Sequence, residues 1–130
     1  MIVIDASALV EVILSTEAAR LIHPCIYAPD ETLHAPHLID LEVTQVLRRY
    51  VSIGEITELR GDVAMDDLAD FPMQRYPHTS LLPRVWTLRR NVTAYDATYI
   101  ALAEFLGCPL LTRDRRLAAA PGHNAQTIVV

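Results

Sequence analysis

The chain contains no lysine, since all eleven of its basic side chains are arginine. An ammonium that offsets developing charge, as many phosphotransfer sites require, is therefore not available from this sequence. Cysteine is scarce as well: Cys25 and Cys108 stand alone, share no metal-type spacing, and predict two buried free thiols rather than a disulfide framework or a zinc ribbon. Long hydrophobic runs are missing. Every apolar stretch is broken by Asp, Glu, Arg or Pro well before the roughly 20 residues that a membrane span requires. No basic residue precedes the first apolar run, and Asp5 and Glu11 interrupt what would be the core of a secretory signal, so a cytoplasmic location is expected. The net charge of −5 argues against holding nucleic acid by general electrostatics. Local basic patches remain open at Arg48-Arg49, Arg89-Arg90, and Arg113 with Arg115-Arg116.

What is present is a compact-domain balance, with 52% hydrophobic and 21% charged residues over 130 positions. That length suits one domain, residues 1–130, with a substantial core. Short apolar runs alternate with segments of helical period, which predicts an α/β fold with a central parallel sheet flanked by crossover helices. Strands are expected at Ile2–Ile4, at Leu33–Pro36, in P-M-Q-R-Y-P-H, in P-L-L-T and in the terminal T-I-V-V. Ser7 is placed to cap the first helix, whose inner face carries Leu9, Val10, Ile13 and Leu14. A second helix from Ser15 or Thr16 should be ended or kinked early by Pro24. Further helices are predicted over 37–53, over an acidic stretch 55–70, over a basic stretch 80–90 with Pro83 in its first turn, and from Thr93 to Leu106 before Gly107 and Pro109. R-D-R-R-L-A-A-A reads as a short helix. There is no repeat, low-complexity segment or linker.

Four carboxylates fall in awkward places. Asp5 and Asp114 directly follow buried strands, Asp96 sits one turn from Ile100, and Glu42 lies between Leu38 and Val46. Desolvation disfavours the charged form of each. Singly, each has a plain structural account: Asp5 and Asp114 as helix caps, Asp96 in a first turn, Glu42 paired with an arginine. Jointly they occupy strand ends and helix starts, the edge where open parallel sheets bind ligands. A shared site of four carboxylates calls for a cation, and hard oxygen donors without a His or Cys pattern point to Mg²⁺ or Mn²⁺. The chemistry implied is phosphodiester hydrolysis.

The stretches I-V-I-D-A-S-A-L, H-A-P-H-L-I-D-L-E-V-T-Q-V-L-R-R, A-Y-D-A-T-Y-I-A-L-A and L-L-T-R-D-R-R-L resemble, in order, the successive motifs of PIN-domain ribonucleases, above all the VapC-type toxins of toxin–antitoxin pairs. The resemblance spans nearly the whole chain, with residues 54–82 contributing little. It implies a three-layer α/β sandwich and a metal-dependent endoribonuclease whose acidic site is Asp5, Glu42, Asp96 and Asp114, with the hydroxyls of Ser7 and Thr112 supporting it. Asp5 and Asp96 are then the expected direct metal ligands, and Glu42 and Asp114 either bind the metal through water or orient the attacking hydroxide. It also implies an RNA substrate, a homodimer and a VapB-like antitoxin that covers the site.

Arg113, Arg115 and Arg116 are candidates to hold RNA phosphate beside Asp114. The pairs Arg48-Arg49 and Arg89-Arg90 are expected on helix surfaces, where neighbouring residues diverge. His34 and His37 fit surface or capping roles, and Trp86 fits a core or dimer interface. One rival is a phosphatase of the haloacid dehalogenase type, which would need a second Asp where Ser7 stands and a lysine. Another is a non-catalytic interaction module that uses the acidic groove for a protein partner.

Overall fold

The computed structural model describes all residues from Met1 to Val130. Five short strands, β1 (Ile2–Ile4), β2 (Leu33–Pro36), β3 (Gln74–Tyr76), β4 (Leu110–Thr112) and β5 (Thr127–Val129), form one sheet in the order β3-β2-β1-β4-β5. All pairings are parallel. The central strands β1, β2 and β4 are buried along their whole length, which is why their sequences are runs of apolar residues rather than alternations.

Parallel pairing forces a crossover between successive strands, and the helices supply it. These are α1 (Ala6–Ile13), α2 (Ala19–Ile26), α3 (Leu38–Ser52), α4 (Glu58–Asp70), α5 (Leu82–Thr87), α6 (Ala94–Leu106) and α7 (Arg115–Ala118). One layer is built where α1 packs on α2, α3 and α4; on the other, α6 lies across β1, β2 and β4 with α5 beside it. Both layers meet in one core that includes Val3, Ile4, Leu9, Ile39, Ile100 and Leu111. Helix α6 is buried continuously from Ala97 to Ala103, and it ends at Gly107, whose φ of 64° is the left-handed geometry that glycine adopts without strain.

Several expectations are corrected. Asp5, not Ser7, caps α1: its extended backbone lets a carboxylate oxygen accept from the Ala8 N–H, and Ser7 lies inside the first turn. Ser15, with φ 53°, closes that helix instead of opening the next. Helix α2 begins at Ala19 and runs past Pro24 to Ile26, because burial of Ile22 and Ile26 offsets the single hydrogen bond that proline removes. The basic helix expected over 80–90 is shorter, with a 3₁₀ turn at Thr79–Leu81 and then α5 to Thr87 only. His34 is buried rather than superficial, its two ring nitrogens bonded to the hydroxyls of Thr32 and Tyr76. Trp86 is 68% exposed and so is no part of the core. Cys25 and Cys108 are half-buried free thiols. No helix is long and apolar enough to cross a membrane.

Candidate active site

Strand order reverses between β1 and β4, and the crevice outside their carboxyl ends is where a doubly wound sheet offers a ligand site. Asp5 leaves β1 at that point, and Thr112 ends β4 beside it. Both oxygens of Asp5 are held. Oδ1 accepts from Ser7 Oγ at 2.7 Å and from the Ala8 N–H at 3.0 Å, and Oδ2 accepts from Thr112 Oγ1 at 2.5 Å. A carboxylate has about four acceptor positions, so three bonds fix its orientation and leave room for a cation.

The same hydroxyls carry the frame further. Thr112 Oγ1 accepts from the Asp114 N–H at 2.9 Å, and Ser7 Oγ accepts from the Arg113 N–H at 2.9 Å. Asp114 in turn caps α7 through Oδ1, which accepts from the Arg116 and Leu117 N–H groups. Its Oδ2 accepts no hydrogen bond from the protein. Capping and site membership are thus compatible, because each role uses a different oxygen.

The remaining two carboxylates come from opposite layers. Glu42 projects from the first turns of α3, and Asp96 from the first turn of α6, where the Thr93 hydroxyl accepts from the Asp96 N–H and caps the helix. Tyr99 ties the layers together: its hydroxyl donates to Glu42 Oε2 at 2.5 Å from a side chain that is 1% exposed. The sequence reading missed Tyr99. Its signal was nonetheless there, three residues after Asp96 in A-Y-D-A-T-Y and hence on the same helix face.

Electrostatics links all four. Burial pushes Asp5 above the usual carboxylate range, against the hydroxyls of Thr112 and Ser7 and the Ala8 N–H, while Asp96 adds repulsion. Burial likewise raises Glu42 against its bond from Tyr99, with Asp96 and Asp5 repelling it. Asp96 is raised by burial, opposed by Thr93, and repelled by Asp114. Tyr99 is pushed upward, first by burial and then by its bond to Glu42, so its hydroxyl keeps its proton and remains a donor. None of the four carboxylates is in an ion pair; the salt bridges go to Glu11, Glu17, Glu31, Asp40 and Glu104. The pairing of Glu42 with an arginine, one of the plain alternatives, does not occur.

No three His, Cys, Asp or Glu side chains stand close enough to enclose a metal ion on their own. A tetrahedral zinc site is therefore a poor match. Mg²⁺ and ions like it keep several waters and take only one or two carboxylates directly, which fits a spread set of hard, uncompensated oxygens.

The raised carboxylates carry a sign for stability. A carboxyl whose folded pKa lies above its unfolded value contributes stability below the unfolded value, about 4.3 for Glu, and loses it as pH rises through the folded one. Glu42→Gln keeps an oxygen for Tyr99 and removes the charge. In a chelator, its melting temperature is expected to match the parent near pH 4 and to exceed it increasingly toward pH 7. A constant difference across that range would show that Glu42 does not titrate under strain.

Of the candidate phosphate-binding arginines, Arg113 is engaged in an ion pair with Glu11, while Arg115 and Arg116 are exposed and unpaired.

The PIN domain family model matches residues 2–122. The chain is 45% identical over 121 residues to Ribonuclease VapC1 of Mycobacterium tuberculosis, covering 92% of this chain and 90% of that one. Its fold is similar to that of PAE2754 from Pyrobaculum aerophilum, with a TM-score of 0.72 at 23% identity, covering 97% and 82% of the two chains. It is similar also to VapBC2 from Rickettsia felis bound to a DNA fragment from their promoter, with a TM-score of 0.69 at 11% identity, covering 98% and 99%. With four acidic motifs in family order, the matching sheet and this degree of identity, the chain belongs to the PIN-domain family, in its VapC-type branch.

Proposed function

We propose that this protein is a divalent-metal-dependent endoribonuclease and the toxin of a toxin–antitoxin pair. The observation that carries the proposal is the set of four carboxylates, drawn from β1, α3, α6 and the end of β4, that repel one another with no arginine among them. Relatives named as ribonucleases support the reaction class, and a structural neighbour described as a toxin–antitoxin complex from Klebsiella pneumoniae, with a TM-score of 0.67 at 18% identity, supports the pairing. A VapB-like antitoxin over the acidic groove, an RNA substrate and a homodimer belong to the same proposal.

Asp5 and Asp96 would hold Mg²⁺ or Mn²⁺ directly, with Glu42 and Asp114 reaching it through water. Such an ion, when bound, polarises the scissile phosphoryl group and lowers the pKa of water. The protein's own contribution is positional. Ser7 and Thr112 fix Asp5 in one rotamer, so its free lone pair is aimed before any ligand arrives. Glu42, half-buried and restrained by Tyr99, has the raised affinity for a proton that suits a group accepting one from an attacking water. Arg115 and Arg116 line a cleft with Ser7 and Asp114, where they would hold phosphate against the chain's negative charge.

Purified protein incubated with a mixed pool of tRNA, rRNA and mRNA should cleave within it when Mn²⁺ is present, and an excess of EDTA should stop the reaction. Lack of metal-dependent cleavage of any RNA, in a preparation that melts cooperatively, would instead favour a non-catalytic interaction module.

A further inference from the structure

Four of the eleven arginines are held in ion pairs: Arg20 with Glu17, Arg75 with Asp40, Arg84 with Glu104 and Arg113 with Glu11. Arg60 is turned to the Ile13 carbonyl. Of the six left, Arg48 and Arg49 lie on α3, and the other four line two clefts that flank the acidic site. The first cleft, of about 540 Å³, includes Ser7, Asp114, Arg115 and Arg116. A second, of about 490 Å³, includes Arg89, Arg90, Asn91, Asp96 and again Arg116. Arg116 therefore stands on the divide between them.

On a chain with sixteen acidic side chains, free guanidiniums are expected to find carboxylates. Arg89 and Arg90 do not, although they share a cleft with Asp96. The objection that adjacent arginines on a helix diverge does not hold here. Helix α5 stops at Thr87, so both residues lie in the turn beyond it and reach the same cleft. Arg89 is also held in place: its guanidinium lies 4.7 Å from the centroid of the exposed Trp86 ring, and Nη1 donates to the Trp86 carbonyl. Only one of its five N–H donors is used, and the rest of the fork is available to phosphate oxygens. A stacked arginine on an exposed aromatic ring is a surface that nucleic acid strands use.

Resting on the ribonuclease reading, we propose that Arg89, Arg90 and Arg116 form a backbone-binding cleft for single-stranded RNA next to Asp96, so that the strand passes through the acidic site with arginines on both sides. Arg115 and Arg116 then hold the strand on the Ser7 side, and Arg89 and Arg90 hold it on the Asp96 side. The acidic center, which by itself repels phosphate, is bracketed by the charge needed to bring a phosphodiester into it.

The test measures binding of a fluorescein-labelled oligouridylate to protein carrying Asp5→Asn, across a range of KCl concentrations, so that no cleavage interferes. Each lost phosphate contact lowers the slope of log K against log salt by about 0.7, so Arg89→Ala with Arg90→Ala should make it shallower by about 1.4. Lysine at both positions should restore most of the slope. Arg48→Ala with Arg49→Ala, an equal change of charge outside both clefts, should leave it unchanged. If the two double alanine variants shift the slope equally, or if Arg89 and Arg90 shift it not at all while the unmodified protein cleaves RNA, the cleft is overturned and the ribonuclease reading stands. If the protein neither binds nor cleaves RNA, both fall.

Discussion

Asp5→Asn is expected to lower RNA cleavage by at least about 10³-fold while the protein remains folded. Asn is nearly isosteric and keeps one oxygen, so it can still accept the Ala8 N–H that caps α1, a position where Asn and Asp are about equally favourable. What it removes is the negative charge at the carboxyl end of β1. Metal stabilisation of a phosphoryl transition state is worth several kcal/mol, and each 1.36 kcal/mol is a factor of ten, which sets the size of the loss. The melting temperature in a chelator should not fall, because burial already disfavours the charged form of Asp5. Cleavage that persists in Asp5→Asn at the parental rate would remove Asp5 from the site and with it the frame built on Ser7 and Thr112. Loss of cleavage together with loss of the cooperative melt would trace the effect to folding instead.

Thr112→Val should damage both stability and activity. Thr112 is fully buried, and its hydroxyl does two things at once: it donates to Asp5 Oδ2 and accepts from the Asp114 N–H. Valine has the same shape and neither function. One buried carboxylate loses a donor and one N–H loses its acceptor, at a cost of about 1–3 kcal/mol. Because the Thr112 bond favours ionised Asp5, its loss raises that carboxyl further, and the acidic limb of the pH–rate profile should move to higher pH. Removal of a group that orients a metal ligand lowers activity by about 10–100-fold. Thr112→Ser supplies the comparison: it keeps the hydroxyl and gives up one methyl, about 0.8 kcal/mol of burial. Serine should therefore hold the pH profile near that of the parent at some cost in melting temperature. A valine variant with parental rate and pH profile would show that the hydroxyl is structural only.

Much of the fold is legible in residue order. The runs I-V-I, L-H-A-P and L-L-T are short and largely apolar, and each is followed within three residues by a helix start, which is the signature of buried parallel strands joined by helices. Thr93, three residues before Asp96, marks the start of α6, and Gly107 marks its end, because capping is a local matter of one side chain and the nearest N–H or carbonyl groups. The four candidate carboxylates are legible for a similar reason. A carboxylate at the end of an apolar run is conspicuous wherever the strand lies in the sheet.

What residue order does not carry is which distant groups meet. Tyr99 and Glu42 are 57 residues apart, and Thr112 and Asp5 are 107 apart. Residue order does not show that Glu11 on α1 pairs with Arg113, a candidate phosphate ligand, or that α5 stops at Thr87 and leaves Arg89 and Arg90 beyond the helix. By itself, then, the sequence determined the element types, the cap and stop of α6 and the four candidate carboxylates, since these depend on periodicity and on contacts a few residues long. Only the tertiary structure sets Thr112 against Asp5 and Tyr99 against Glu42, and leaves unpaired arginines in clefts beside Asp96 and Asp114. The physical reason is the strand order β3-β2-β1-β4-β5: by setting the ends of β1 and β4 side by side, it brings α3 and α6 to that edge from opposite layers.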